Sequence, residues 1–377
     1  MKKFDVAIAG GGVIGGSIAL ELACAGLRVG VFDRQQPGRE ASWASAGIIS
    51  PAPENAGMIP TVAAGKMSAS LYPEFIARVE ELSGQKTGYR AKGTLAAIFS
   101  REAKEELSTI VALHHGLGLK AEALSSEDAR ELEPALSEEI EAAVLRPDEA
   151  SVDNRALTTA VLEGAKRSGV EIFAGNGARG VWREGNCCRG LVLGGEKVEA
   201  RWTVIAAGSF SAGIEGVAEY APVRPAKGQM VSMRCEKVKM ERVLWSERIY
   251  LVPRNDGRIL AGATLEYVGF DKETNAGGMN KLLSGAIELA PDLRDAKIEE
   301  TWAGLRPDSP DHLPILGPTD VEGLLMATGH FRSGILLAPF TARGMREWIT
   351  EGQANTEWDR FSPMRFQSAK ATARSGG

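Results

Sequence analysis

Cysteine and histidine are scarce in this chain of 377 residues, which contains four of each. Neither set shows the paired spacing of a metal site, and the cysteines form no disulfide framework. The cysteines are Cys24, Cys187, Cys188 and Cys235, and the histidines are His114, His115, His312 and His330. We therefore assign no metal. A few unpaired thiols are typical of a reducing compartment, so the sequence predicts a cytoplasmic protein.

The chain also has no run of about 18 uncharged apolar residues, the length that a membrane span needs. Its first residues, Met1-Lys2-Lys3, precede an apolar stretch that could be mistaken for a secretion signal. Asp5, Glu21 and several glycines interrupt that stretch, as they would not in a signal peptide. The sequence predicts that the segment belongs to the fold and that no segment spans a membrane.

An excess of positive charge is missing as well, because 44 lysines and arginines stand against 49 acids, for a net charge of −5. A nucleic-acid-binding protein needs a basic surface to attract phosphates, so we set nucleic acid aside. The length and a hydrophobic content of 44% allow a large core in one two-lobed unit or two domains.

The N-terminal region has the pattern of a strand, a tight turn and a helix. Asp5–Ala9 predicts a buried parallel strand, and Ser17–Ala25 predicts a helix rich in alanine and leucine. Between them, Gly10, Gly12 and Gly15 have G-x-G-x-x-G spacing. These glycines allow the chain to reverse, a pyrophosphate to approach the backbone and the helix to pack close to the strand. The helix N-terminus can then bind phosphate.

An acidic residue follows the second predicted strand, at the position where dinucleotide-binding domains bind the ribose. Gly26 ends the predicted helix, Arg28–Phe32 forms a second strand, and Asp33 lies 18 positions after Gly15. An acid at this position accepts hydrogen bonds from ribose hydroxyls, whereas an arginine would indicate a 2′-phosphate. Glycines, strand, helix and acid together predict dinucleotide binding.

The middle of the chain mixes helices and strands. Small residues dominate 39–51, as in a segment that lies against an extended cofactor or in a tightly packed connection. We predict a helix over 66–82 that Pro73 kinks or breaks, an amphipathic helix over 101–115, and a helix that begins at residues 151–154. Further predicted elements are a strand over 94–99, a helix over 126–132, and strands over 170–173 and 201–208.

A second literal G-x-G-x-x-G occurs at Gly175–Gly180, but Val181–Arg183 continues as extended chain and no helix follows. We therefore interpret it as a turn that touches the cofactor at most, which leaves no second domain for a pyridine nucleotide. From Pro222 onward, strands over 229–233, 248–253 and 259–264 predict an antiparallel sheet, interrupted by a helix over 279–289.

Tyr250, Arg306 and Arg332 stand out because apolar or glycine-rich sequence surrounds them. An arginine in such a setting is costly to desolvate unless it meets an anion, and its planar fork matches a carboxylate. For one arginine alone, a salt bridge between lobes explains the pattern equally well. For the set, a carboxylate-binding site is the better explanation.

Five motifs together resemble one family, the D-amino-acid oxidase superfamily, and within it most closely the glycine oxidases of thiamine biosynthesis. They are the N-terminal glycine turn, Glu40–Gly47, Ile249–Arg254, Trp302–Pro307 and Gly329–Pro339. The likeness spans nearly the whole chain, and the last two motifs are its most specific parts. The sequence departs from the family at Asp33, where glutamate is common, at Trp43 and at Arg248.

The resemblance implies non-covalent FAD and the oxidation of glycine or another small amine to an imine, with oxygen reduced to hydrogen peroxide. Arg306 would pair with the substrate carboxylate, Tyr250 would hydrogen-bond it, and Arg332 would border the pocket, so these three are the expected catalytic and substrate-binding residues. Residues expected to bind FAD are Gly10, Gly12, Val13, Ile14, Gly15, Asp33, Arg34, Ala41, Ser42, Ala46, Gly47, Ile48, Ala178, His330, Phe331, Arg332, Ser333, Gly334, Ile335 and Leu336.

The expected fold class is α/β: a Rossmann-like, doubly wound FAD-binding domain with an α+β substrate lobe whose sheet is mainly antiparallel. We expect the FAD-binding domain in residues 1–85, 148–220 and 305–366, the substrate domain in 86–147 and 221–304, and a flexible tail in 367–377. Homo-oligomer formation, and the choice among glycine, sarcosine, proline and D-amino acids, stay open.

Two rival functions are also open. A quinone-linked dehydrogenase of the same superfamily is supported only by Leu336–Ile349, whose apolar side chains could suit a membrane surface, although a helix packed on its own core is the simpler explanation. A non-catalytic flavin-binding module would need no carboxylate clamp.

Overall fold

The computed structural model of the chain describes residues 2–367, so the predicted tail lies outside the described residues from 368 onward. Within that range the α-helices are α1 (Val13–Cys24), α2 (Ala41–Ala44), α3 (Val62–Ser83), α4 (Arg101–Glu105), α5 (Leu107–Gly116), α6 (Ser126–Leu132), α7 (Asn154–Arg167), α8 (Ala276–Leu289) and α9 (Ala338–Glu351). The strands are β1 (Lys3–Ala9), β2 (Val29–Phe32), β3 (Ile48–Ile49), β4 (Thr94–Ile98), β5 (Glu122–Ser125), β6 (Ala142–Arg146), β7 (Ala150–Ser151), β8 (Glu171–Phe173), β9 (Gly180–Glu184), β10 (Cys187–Val192), β11 (Lys197–Ile205), β12 (Arg224–Arg234), β13 (Val243–Trp245), β14 (Tyr250–Pro253), β15 (Arg258–Gly262), β16 (Lys297–Asp308), β17 (Ile315–Pro318) and β18 (Leu324–Thr328).

The first sheet has the order β17-β18-β11-β1-β2-β8, with the β9–β10 hairpin paired to β11. Strands β18, β11, β1, β2 and β8 run parallel to one another. Strand β1 is apolar and buried from Val6 to Ala9 because helices and further strands cover both faces of the sheet there. Helices α1, α3, α7 and α9 share one core with this sheet.

The second sheet has the order β16-β12-β15-β14-β13-β4-β6-β5 and is antiparallel except where β13 pairs with β4. Helix α8 packs against it through Leu282, Ala286 and Leu289. The two sheets confirm the predicted fold class, a doubly wound parallel sheet with a mainly antiparallel second sheet. The exact domain boundaries stay a prediction.

Three predictions about helices were wrong in detail. Helix α1 begins at Val13 rather than Ser17, because the end of the glycine turn is already helical. Pro73 lies inside one continuous helix, α3, which packing holds together: Tyr72 and Ser68 are buried and donate hydrogen bonds to the carbonyls of Ile335 and Leu336. The helix predicted over 101–115 is divided at Glu106, and its first part buries no side chain that would favour continuity.

Among residues 2–367, no helix is both long and apolar enough to cross a membrane.

Candidate active site

One large cavity of about 1350 Å³ lies between the two sheets. It begins at the glycine turn, where the parallel strands β1, β2 and β11 end, and continues to Tyr250 and Arg306 on the second sheet. In open parallel sheets, ligands bind outside the carboxyl ends of the strands, so the first end of the cavity has the usual position for a nucleotide.

The glycine turn is held by backbone geometry and by one carboxylate. Gly10 has a φ of +103°, which suits glycine, and a Cβ on Gly15 would overlap the carbonyl oxygen of Gly10. Asp33 accepts hydrogen bonds from the backbone N–H of Gly11 at 2.8 Å and of Gln35 at 3.0 Å. The acid thus lies beside the glycine turn, on the wall of the cavity.

Residues 41–48 form the wall of the cavity between the two sheets. Ser42 accepts a hydrogen bond from the N–H of Val13 at 2.9 Å, which fixes this segment to the start of α1. Small side chains are required because the second sheet comes very close: a Cβ on Gly304 would overlap the side chain of Ala44. The larger Trp43 does not border the cavity. The Arg155 guanidinium instead lies over its indole ring, with Arg155 Cζ 3.6 Å from the ring centroid.

The buried Arg254, at the end of the motif around Tyr250, holds the same segment from the second sheet. Its guanidinium donates to the carbonyls of Ala46 at 2.9 Å and Val152 at 3.1 Å, and to Asn154 Oδ1 at 2.8 Å. Asn154 in turn donates to two carbonyls of the segment. Burial lowers the pKa of Arg254 to about 10, so the group stays charged at neutral pH.

Arg306 and Tyr250 meet at the end of the cavity that is far from the glycine turn. The Arg306 guanidinium lies against the backbone of Gly228, leaving no room for a Cβ there, and donates one hydrogen bond to the Thr264 carbonyl at 3.1 Å. Burial lowers the pKa of Arg306 and raises that of Tyr250, while the two side chains interact with each other. The phenol therefore stays a neutral donor beside a guanidinium without an acidic partner among the described residues.

Arg332 borders the same cavity but is paired with Glu54. The Glu54 charge also acts on Arg306 and Tyr250, which places this ion pair at the same end of the cavity. Sequence reasoning missed Glu54. An acid directly after the Ser50–Pro53 turn, just beyond the small-residue segment, was the available signal.

Residues 330–336 bring backbone to the cavity wall. Phe331 has a positive φ of 46° and its N–H donates to the Pro307 carbonyl at 2.9 Å, next to Arg306 on β16. His330 is buried, with Nε2 3.0 Å from the Thr341 hydroxyl oxygen. Burial lowers its pKa from 6.5 to about 3, so its imidazole is neutral in the folded protein.

The buried imidazole of His330 makes the free energy of unfolding depend on pH. Above pH 6.5 it is neutral in both the folded and the unfolded state and contributes no pH dependence. Below pH 6.5 the unfolded chain gains a proton that the folded chain cannot take up until about pH 3. We therefore expect it to lower the free energy of unfolding by up to roughly 1.4 kcal/mol per pH unit in that window.

Urea unfolding at pH 7.0, 6.0 and 5.0 measures the effect. The variant His330→Gln should lose part of the fall in stability towards pH 5, whereas His115→Gln, at an exposed position, should keep it. Equal pH slopes in His330→Gln and the parent would contradict the assignment.

The predicted site residues converge on this cavity with one exception. Gly15 lies behind its wall, where it makes room for Gly10. The residues that border it are Gly10, Gly12, Val13, Ile14, Asp33, Arg34, Ala41, Ser42, Ala46, Gly47, Ile48, Ala178, Tyr250, Arg306, His330, Phe331, Arg332, Ser333, Gly334, Ile335 and Leu336. The rejected glycine motif is a turn followed by β9, as predicted, and it reaches the cavity through residues 175–179. In the described part of the chain, no group of three or more histidine, cysteine or acidic residues could hold a metal.

Comparison with protein families gives one match across most of the chain. Residues 5–348 match the family described as FAD dependent oxidoreductase, DAO.

Two relatives and one solved structure show how far the similarity extends. The chain is 36% identical over 372 residues to the bifunctional protein ThiO/ThiG of Trichormus variabilis, covering 98% of this chain but 56% of that relative, so it spans about half its length. It is 30% identical to the glycine oxidase of Bacillus licheniformis, over 95% of this chain and 96% of the relative. The crystal structure of glycine oxidase from Geobacillus kaustophilus superposes with a TM-score of 0.91 at 30% identity, covering 97% of this chain and 99% of the other.

Proposed function

We propose, because the chain belongs to the DAO family of FAD-dependent oxidoreductases, that it oxidises glycine or another small amino acid at the carbon that carries the amine. The net reaction would convert the amine and oxygen to an imine and hydrogen peroxide. The observation that carries this proposal is the meeting of Arg306 and Tyr250 at the far end of the cavity, where the guanidinium has no acidic partner among the residues that the structure describes. The glycine oxidases among its relatives support the choice of substrate.

The shape and lining of the cavity fit FAD. The glycine turn at the start of α1 would hold the pyrophosphate, Asp33 the ribose hydroxyls, and residues 41–48 and 330–336 the remainder of the cofactor. When bound, FAD supplies the two-electron acceptor for the substrate's hydride. No cysteine borders the cavity, which is why we propose that FAD is held without a covalent bond.

The protein's own contribution would be orientation. The Arg306 fork would bind the substrate carboxylate with two hydrogen bonds, and the neutral Tyr250 hydroxyl would donate a third. These contacts would fix Cα at a single place in the cavity, and such positioning lowers the barrier of a transfer between two bound groups. Glu54, paired with Arg332, would place a negative charge near the substrate amine.

Anaerobic mixing with a panel of amino acids tests the proposal. Glycine, sarcosine, proline or a D-amino acid should bleach the flavin absorbance, and oxygen should be consumed without an added acceptor. Bleaching without oxygen consumption would favour a dehydrogenase with another acceptor. No bleaching by any amino acid would favour a flavin-binding module and contradict the proposal.

Asp33 provides a test of the cofactor end. In Asp33→Ala, FAD should bind more weakly by roughly 1.5–3 kcal/mol, because charge-assisted hydrogen bonds to the ribose are lost. The measurement is the dissociation constant of FAD from the apoprotein by fluorescence quenching. The KM for amino acids should be unchanged in the FAD-saturated variant. An unchanged FAD affinity would show that the ribose lies elsewhere.

The expected partners are a small amino acid and oxygen. Location in the cytoplasm and assembly into a homo-oligomer stay predictions from the sequence. The activity proposed here is that of the described chain, which spans about half of its bifunctional relatives.

A further inference from the structure

The cavity has an arm that extends beyond Tyr250 along the second sheet. This arm follows β13, β4 and β6 and is bordered by Trp245, Ala96, Ile98, Val144 and Arg146, with Ile110 from α5 on its other side. Apart from the arginine, these are apolar or aromatic side chains. The arm is not used in the binding of glycine at Arg306 and Tyr250.

Arg146 is unusual in this arm because its charge has no partner. It is half-buried, and no hydrogen bond or ion pair joins its side chain to another residue in the described part of the chain. Its Nε is shielded from solvent and makes no hydrogen bond. A shielded, unpaired N–H costs free energy unless a partner accepts its hydrogen bond.

The nearby polar groups do not pair directly with Arg146. The buried Glu149 accepts hydrogen bonds from Ser50 Oγ and Thr94 Oγ1, each at 2.5 Å, so both of its oxygens have other donors. His114 is also close, and burial, with a smaller effect from Arg146, lowers its pKa. The histidine is therefore neutral at pH 7, and neither group donates to or accepts from the Arg146 guanidinium within the described residues.

The other arginines at this end of the cavity make the contrast clear. Arg248 is paired with Glu288 at 3.2 Å, and Arg332 is paired with Glu54. Within residues 2–367, Arg306 has no acidic partner, and Arg146 shares this property.

We propose that Arg146 forms a second carboxylate-binding subsite in this arm and that the chain accepts amines whose far end carries an acid. The inference rests on the proposed function, since it extends the substrate class of the same site.

The sheet gives the scale of such a substrate. Tyr250 lies on β14 and Arg146 on β6, and β13 and β4 separate them. Three strand spacings amount to about 14 Å between the backbones of β14 and β6. Glycine bound at Arg306 cannot touch Arg146. An N-substituted glycine with a carboxylate at the end of its substituent could reach it through the apolar arm.

Binding is the first test, because it does not depend on turnover. The holoenzyme is titrated calorimetrically with linear dicarboxylates of increasing length and with monocarboxylates of the same length. In the parent protein, a dicarboxylate of suitable length should bind at least tenfold more tightly than its monocarboxylate counterpart. Arg146→Gln should remove that difference, and Arg146→Lys should restore part of it. If the parent binds the two classes alike, the subsite does not exist.

Turnover is the second test. The substrates are glycine, N-butylglycine and an N-(carboxyalkyl)glycine of the best length. Arg146→Gln should raise the KM of the diacid at least tenfold and leave glycine and N-butylglycine within twofold of the parent. An equal loss of kcat/KM for all three would mean that Arg146 only attracts carboxylates to the entrance, which overturns the subsite. Arg146-dependent binding of dicarboxylates without oxidation of any amine would instead overturn the proposed function and leave the subsite standing.

Discussion

Replacing Arg306 with alanine should lower kcat/KM for glycine by roughly 10²- to 10⁴-fold, with FAD still bound. The side chain lies on Gly228 with one of its donors on the Thr264 carbonyl, and the remaining donors face the cavity. Two charge-assisted hydrogen bonds to a carboxylate, worth about 1.5–3 kcal/mol each, account for that range. Steady-state oxygen consumption with FAD-saturated enzyme measures the loss.

Conservative variants separate charge from geometry. Arg306→Lys keeps the positive charge but loses the planar fork, so it should lie between alanine and the parent. Tyr250→Phe removes one hydrogen bond worth about 0.5–1.5 kcal/mol and should cost no more than roughly tenfold. Amines without a carboxylate should be oxidised almost equally by all four proteins. If Arg306→Ala oxidised glycine like the parent, or lost its FAD, the carboxylate clamp would have to be abandoned.

Replacing Arg254 with methionine should destabilise the fold by about 3–5 kcal/mol, the usual cost of removing one partner from a buried charged network. Its guanidinium is almost fully buried and serves three acceptors, two of which are backbone carbonyls that methionine cannot satisfy. Because one of those carbonyls belongs to Ala46, FAD retention should fall together with stability. Urea unfolding of the apoprotein measures the first effect and FAD titration the second.

Arg258 is the matched control for this experiment. It lies on β15 and pairs with Asp153 at 3.2 Å and Asp256 at 2.7 Å, but its side chain remains 22% exposed. Arg258→Met should therefore cost no more than about 1 kcal/mol, as is typical of ion pairs in contact with water. If the two variants had equal stability, the Arg254 network would not hold the cavity wall.

The sequence predicted best what depends on local pattern. The glycine turn and Asp33 are close in sequence to the strands and the helix that they connect, and parallel strands bring their carboxyl ends to one edge of a sheet. The two arginine motifs were found because apolar sequence surrounds a charge. That criterion separates Arg306 from an ordinary surface arginine but does not show which acid, if any, lies opposite.

What could not be predicted depends on partners that are distant in sequence. The sequence placed Arg332 at the border of the pocket but did not reveal its partner Glu54, which lies 278 positions earlier. Arg254 stands in an apolar strand like Arg306, yet its three acceptors come from residues 46, 152 and 154. The effect of Pro73 also depends on distant residues. A proline inside a helix is tolerated here because helix α3 is packed against residues 335 and 336.

The pairing of β1 with β11 also limits when the nucleotide end can form during synthesis. Strand β1 can pair with β2 once residues 29–32 have been made, but its neighbour on the other side comprises residues 197–205, and Gly10 packs against Ala206 and Ala207. The glycine turn therefore has no completed wall until residues 206 and 207 have been made. Until then one edge of the apolar strand β1 lacks its partner in the sheet, which favours premature collapse of the nascent chain.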